Sequence, residues 1–120
     1  MKPTVSIVYS EMHVLQVLDK ILTEGGFQTY PYYSPEEALA WAPIRHPDLY
    51  LINYQNIHLN GVEFYKQLKE TTDYHKLDVK AVFITSKYET EDECREVGGL
   101  DFIRVPFDSK DVLARIKKAI

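Results

Sequence analysis

Short apolar runs and amphipathic runs alternate strictly along this chain, and that alternation constrains its fold more than any other feature. Thr4-Val5-Ser6-Ile7-Val8 is rich in β-branched residues and reads as a strand. Val14, Leu15, Leu18, Ile21 and Leu22 then recur at the spacing of one helix face, and Gly25-Gly26 ends the run. Phe27 to Tyr30 forms a short second strand. Ser34-Pro35-Glu36-Glu37 follows with a capping serine, a first-turn proline and a glutamate three residues after the cap. The helix begun there carries Ala38, Leu39 and Trp41 and should end or kink at Pro43. Leu49-Tyr50-Leu51-Ile52 is continuously apolar between Pro47-Asp48 and an Asn/Gly cluster, the pattern of a strand buried on both faces in a parallel sheet. Asn60-Gly61-Val62-Glu63 opens a third helix with Val62, Tyr65 and Leu68 inward, and a loop is expected from Thr71 to Leu77. Val79 to Thr85, Glu89 to Val97, Phe102 to Val105 and Asp108 to Ile120 complete the series. Five strand–helix units in strict order imply an α/β, doubly wound, flavodoxin-like parallel sheet of five strands with helices on both faces, in a single domain spanning 1–120.

Composition narrows the function. With 120 residues, 45% of them hydrophobic, the chain can bury a core without staples, and its single Cys94 cannot form an internal bridge. With no leader-like opening, the expected compartment is the reduced cytoplasm. No apolar run approaches the roughly 20 residues of a membrane span. A net charge of -4 argues against nucleic-acid binding by this domain, since neutralising phosphates needs a dominant Lys/Arg surface.

In parallel sheets, ligands bind beyond the carboxyl ends of the strands. Asn53 lies there, at the end of the central strand, with Tyr9 and Ser10 after the first strand and Thr85 closing the fourth. Ser10 reads as the N-cap of the first helix and Glu11 as part of its first turn, where a negative charge suits the helix dipole. Asp48 and Asp101 start their strands, at the opposite edge. Asn56 and His58 read as solvated loop residues, because no partner His or Cys stands at metal-ligand spacing. The fourth helix has five acidic residues and only Cys94 and Val97 as apolar anchors, so packing should hold it weakly.

The turn Val8-Tyr9-Ser10-Glu11, Pro47-Asp48-Leu49, Asn60-Gly61, Phe83-Ile84-Thr85 and the run Glu96 to Phe107 together resemble the receiver domains of two-component response regulators, including those of phosphate-responsive transcription factors. The resemblance covers the whole chain. It implies a phosphoryl-accepting Asp, an acidic pair that helps to hold Mg²⁺, a Thr or Ser, and a Lys before a Pro. Only Thr85 remains. Asn53 stands at the acceptor position, Tyr9 and Ser10 at the acidic pair and Val105 at the Lys, with Tyr9 filling the volume of the acidic pocket. An amide is no carboxylate nucleophile, Mg²⁺ requires charged oxygen ligands, and a phosphoryl group would lack its balancing cation. Thr85 and Phe102 match the switch positions, although any sheet uses such residues in its strands. The resemblance also implies a cis bond before Pro106.

The leading expectation is a degenerate receiver, not an enzyme, that binds no metal or cofactor and acts as a phosphorylation-independent interaction module. Its partner would be its own output domain beyond Ile120, a sensor kinase or another signalling protein. A receiver switched by an unusual modification or a small ligand is the alternative. A flavodoxin-like cofactor protein is a further one, but Tyr9 to His13 holds no Gly for a phosphate loop. By resemblance, the fourth helix, fifth strand and fifth helix would carry the interface. Asp101 and Arg115 match a charge pair there, and Arg104 lies on the same face. Glu91 would oppose the like-charged Asp111, and Leu100 replaces a charged residue, so at most a weak homodimer is expected.

Overall fold

The computed structural model describes residues 2–73, 79–86 and 89–120, and the side chains of all of these except 72, 73 and 89. The elements alternate as β1 (Thr4–Val8), α1 (Met12–Glu24), β2 (Gln28–Tyr32), α2 (Pro35–Trp41), β3 (Leu49–Asn53), α3 (Gly61–Asp73), β4 (Ala81–Thr85), α4 (Glu89–Glu96), β5 (Asp101–Arg104) and α5 (Ser109–Ala119). The strands form one parallel sheet in the order β2-β1-β3-β4-β5. Among the described residues no helix is long and apolar enough to cross a membrane.

Side-chain alternation along the strands builds two cores. Val5, Ile7, Leu49, Leu51, Val82, Ile84 and Ile103 point to one face, where Leu15, Leu18 and Leu22 of α1 and Val112 and Ile116 of α5 cover them. Val8, Tyr50, Ile52, Ala81 and Phe83 point to the other, beneath Ala38 of α2, Val62, Phe64, Tyr65 and Leu68 of α3, and Cys94 of α4. An unbroken apolar run is what a strand buried on both faces requires, since each parity needs its own cover.

Several boundaries differ from the sequence reading. β2 starts one residue later than expected and continues through Pro31 to Tyr32. Its place at the sheet edge, paired to β1 alone, explains why a residue without an N–H is tolerated there. α3 continues through Thr71 to Asp73, where a loop was expected; Tyr74 to Leu77 of that loop lie outside the described residues. β4 begins at Ala81 instead of Val79. α2 is capped by Ser34, whose Oγ accepts from Glu37 N at 3.1 Å, with Pro35 in its first turn. α4 has more anchors than its apolar pattern suggests: Thr90 is buried with Cys94, Glu93 accepts from Tyr54, and Glu91 pairs with Arg104.

Gly61 matters for the site. Asn60 caps α3, its Oδ1 accepting from Glu63 N at 2.9 Å, and the helix starts hard against the end of β3. A Cβ on Gly61 would stand 2.7 Å from the Asn53 carbonyl oxygen and 3.0 Å from Tyr54 Cα, both backbone atoms that cannot swing aside. Gly61→Ala should therefore cost about 1–3 kcal/mol in denaturant unfolding, as overpacking does. A stability equal to wild type would mean that this approach is looser than the structure has it.

Candidate functional site

Register decides what meets at the carboxyl edge. Val8 lies beside Ile52, and Asn53 beside Ile84, so the residues after β1, at the end of β3 and at the end of β4 emerge together. Tyr54 N continues the pairing by donating to Ile84 O at 2.9 Å.

Each sequence-selected residue here is neutral. Asn53 is half-buried, and its side-chain amide has no hydrogen-bond partner among the described residues. Tyr9 is only 8% exposed and packs into the core under α1 and α5. Burial, and secondarily the charge of Glu11, raise its phenol above the ordinary value, so it is un-ionised near neutrality. Val105 is half-buried against the same core, and the Val105–Pro106 bond is cis.

Ser10 does not cap α1. The helix starts one residue later than that role requires, and Glu11, in extended conformation, is the cap: its carboxylate accepts from His13 N at 3.3 Å and Val14 N at 2.6 Å. A carboxylate suits this position doubly, as an acceptor for unpaired N–H groups and as a charge at the positive end of the helix. The Ser10 hydroxyl is left buried without a hydrogen-bond partner among the described residues.

Asn56 also departs from expectation. Far from being a solvated loop residue, it is 8% exposed, and its amide accepts from Ser10 N at 2.8 Å while donating to Asn53 O at 2.9 Å and Val8 O at 3.3 Å. The one available signal was general: backbone groups at strand ends need partners, and a nearby Asn can supply both donor and acceptor. His58 is exposed, with a positive φ of 71°.

On the far side, Thr85 and Thr90 share a hydroxyl–hydroxyl hydrogen bond that ties β4 to α4. The Tyr54 hydroxyl donates to Glu93 at 2.7 Å; this bond, followed by burial, pushes its pKa up to about 12. The Arg95 guanidinium lies 5.0 Å from the centre of the Phe102 ring. The five charged interface candidates are paired within the chain: Arg104 with Glu91 at 2.7 Å, and Arg115 with both Asp101 at 2.7 Å and Asp111 at 3.1 Å. Leu100 is 53% exposed beside them.

The donor set at the carboxyl edge does not fit Mg²⁺. Among the described residues it consists of the Tyr9 phenol, the Ser10 and Thr85 hydroxyls, the Asn53 and Asn56 carboxamides and the Glu11 carboxylate already committed to the start of α1, whereas the ion needs charged oxygens in near-octahedral array. Among the described residues no three His, Cys, Asp or Glu side chains gather where they could hold a metal.

Comparison with known proteins agrees with the architecture. The family model described as "Response regulator receiver domain" matches residues 5–117. The chain is 27% identical over 119 residues to the phosphate regulon transcriptional regulatory protein PhoB of Pseudomonas aeruginosa, covering 98% of this chain and 51% of that one. It is 30% identical over 113 residues to PhoB of Escherichia coli, covering 92% and 48%. It therefore spans about half the length of these curated relatives. Among solved structures, the chemotaxis protein CheY4 of Vibrio cholerae superposes over 100% of both chains with a TM-score of 0.89 at 19% identity, a likeness of fold.

Two substitutions separate the capping roles. Glu11→Ala should lower unfolding stability by about 0.5–2 kcal/mol, the range for a lost N-cap. Ser10→Ala should be neutral or stabilising, because it removes a buried hydroxyl that has no partner among the described residues. Urea denaturation of both variants checks this, and a loss at Ser10 as large as at Glu11 would reverse the assignment.

Proposed function

The chain belongs to the response regulator receiver domain family, and from that premise we propose that it is a phosphorylation-independent receiver, a protein-recognition module that accepts no phosphoryl group. The observation that carries the reading is the neutrality of the carboxyl edge. Tyr9, Ser10, Asn53 and Val105 stand where the family resemblance calls for an acidic pair, an acceptor and a lysine. Their surroundings suit neutral groups: Tyr9 is buried with a raised phenol pKa, Val105 packs on apolar side chains, and Ser10 and Asn53 have their backbones tied to Asn56. Four losses in one site favour abandonment of the chemistry over its repair.

Partners follow from size and surface. The PhoB relatives are named as transcriptional regulatory proteins and are about twice as long, so an output domain joined to this chain is the first partner proposed. A sensor kinase or another signalling protein would use the same recognition role.

Mg²⁺ should not stabilise this protein. A functional site at 100 times its dissociation constant would add about 2.7 kcal/mol by mass action. Asn53→Asp alone should form no stable acyl phosphate with a small-molecule donor, because the acidic pair and the lysine are still missing. Amide chemical shifts of wild type and Asn53→Asp, recorded with Mg²⁺ and then beryllofluoride, provide the check. Saturable shifts around Asn53, Thr85 and Phe102 in the wild type would refute the reading.

The surface of α4, β5 and α5 should form a weak homodimer at most. Glu91, Asp101, Arg104, Asp111 and Arg115 already have partners within the chain, and using them across a dimer would exchange existing pairs instead of adding new ones. Sedimentation at micromolar concentration should show a monomer; a tight dimer lost on Arg115→Ala would contradict this.

A further inference from the structure

We infer that the Asn56 side-chain amide is a built-in clamp that holds the turn after β1 to the loop after β3, so that the carboxyl edge keeps one arrangement with no ligand. The clamp stands on geometry alone. Only its consequence for signalling, an edge fixed in one state, rests on the phosphorylation-independent reading.

Three features make Asn56 more than a loop residue. Its partners belong to two elements: Val8 O and Ser10 N lie at the end of β1, 48 and 46 residues away, and Asn53 O ends β3, three residues away. Its chemistry suits the set, because one N–H and two carbonyls converge on it. A carboxamide supplies the acceptor and both donors, whereas a carboxylate only accepts and an apolar side chain does neither. It is also almost fully buried, so water does not compete freely for these bonds.

The clamp joins strands that are already neighbours in the sheet, since Val8 lies beside Ile52. It therefore extends the β1–β3 pairing past the point where backbone pairing stops. It engages Ser10 through its backbone N–H, the residue just before the Glu11 cap of α1. The bonds to Asn53 and Val8 use their carbonyls and leave the Asn53 side chain out of the network.

Hydrogen exchange and NMR test this on the folded protein. In the wild type, the Asn56 side-chain NH₂ protons should exchange at least about tenfold more slowly than those of the exposed Gln55, the factor that roughly one hydrogen bond of ordinary strength provides. Exchange as fast as at Gln55 would overturn the clamp without any variant having to fold. In Asn56→Ala, the Ser10 amide should lose protection by about tenfold more than the Leu51 amide in the sheet centre. Equal losses at Ser10 and Leu51 would mean a general loss of stability and would also overturn it. These readouts are independent of the wild-type Mg²⁺ titration, whose failure would fall on the phosphorylation-independent reading instead.

Discussion

Burial of β3 on both faces is the constraint on which the rest of the molecule depends. Leu49 and Leu51 must be covered by α1 and α5, while Tyr50 and Ile52 must be covered by α2, α3 and α4, and neither group can be moved without slipping the register of every strand paired to it. A strand covered in this way offers polar chemistry only at its ends. The carboxyl end is where Asn53 leaves the core, and the amino end is taken up by Asp48, which accepts from Thr4 N at 2.8 Å and so fastens β1 to β3 at the opposite edge.

At the carboxyl edge the difficulty is to satisfy a backbone that has run out of sheet partners. One loop solves most of it. Asn56 reaches back to β1, Asn60 caps α3, and Gly61 lets the first turn of α3 approach the Asn53 carbonyl. Each residue type suits its place, with a carboxamide where a donor and an acceptor are both needed, an Asx acceptor at a helix start, and no side chain where two backbones nearly touch. The loop holds its shape through neutral hydrogen bonds, and no cluster of like charges has to be balanced.

The strand–helix order was legible because period-two burial and the helical spacing of Leu15, Leu18 and Leu22 are strong, local signals. β1 and the capping of α2 and α3 by Ser34 and Asn60 were legible for the same reason. The misses at β2, at the start of α1 and at Asn56 depend on tertiary context. Pro31 looks like a strand breaker until β2 is known to be an edge. Ser10 has the residue type preferred for a cap and Glu11 reads as a first-turn residue, and only the start of α1 at Met12 makes Glu11 the cap. Asn56 is an ordinary loop residue by sequence, and its partners at β1 become visible only once β1 and β3 lie side by side. The positions of Asn53, Tyr9 and Val105 could be read from resemblance to a family, but the burial that makes them fit as neutral groups could not.

The same edge also sets terms for any switching. α4 is tied to its neighbours by Thr85–Thr90, Tyr54–Glu93 and Glu91–Arg104, bonds that come from the ends of β4, β3 and β5 in turn. Cys94 adds a buried thiol whose pKa is pushed up to about 12 by burial and by Glu93 and Glu91, so it packs as an apolar group and offers little thiolate. A ligand can move a helix held in this way only by binding the moved state more tightly than the tied one, by at least the free energy of the ties it breaks. A phosphoryl group would provide that difference through charge, drawing a hydroxyl and a cation toward itself. On the proposed reading that source is absent here, since Asn53 carries no charge and Val105 stands in the place of the lysine. On the same reading, the remaining source of differential affinity would be a macromolecular partner on the outer surface of α4, β5 and α5, where Leu100 is exposed and the charged side chains are already oriented by their pairing. Recognition would then select a surface that is already formed.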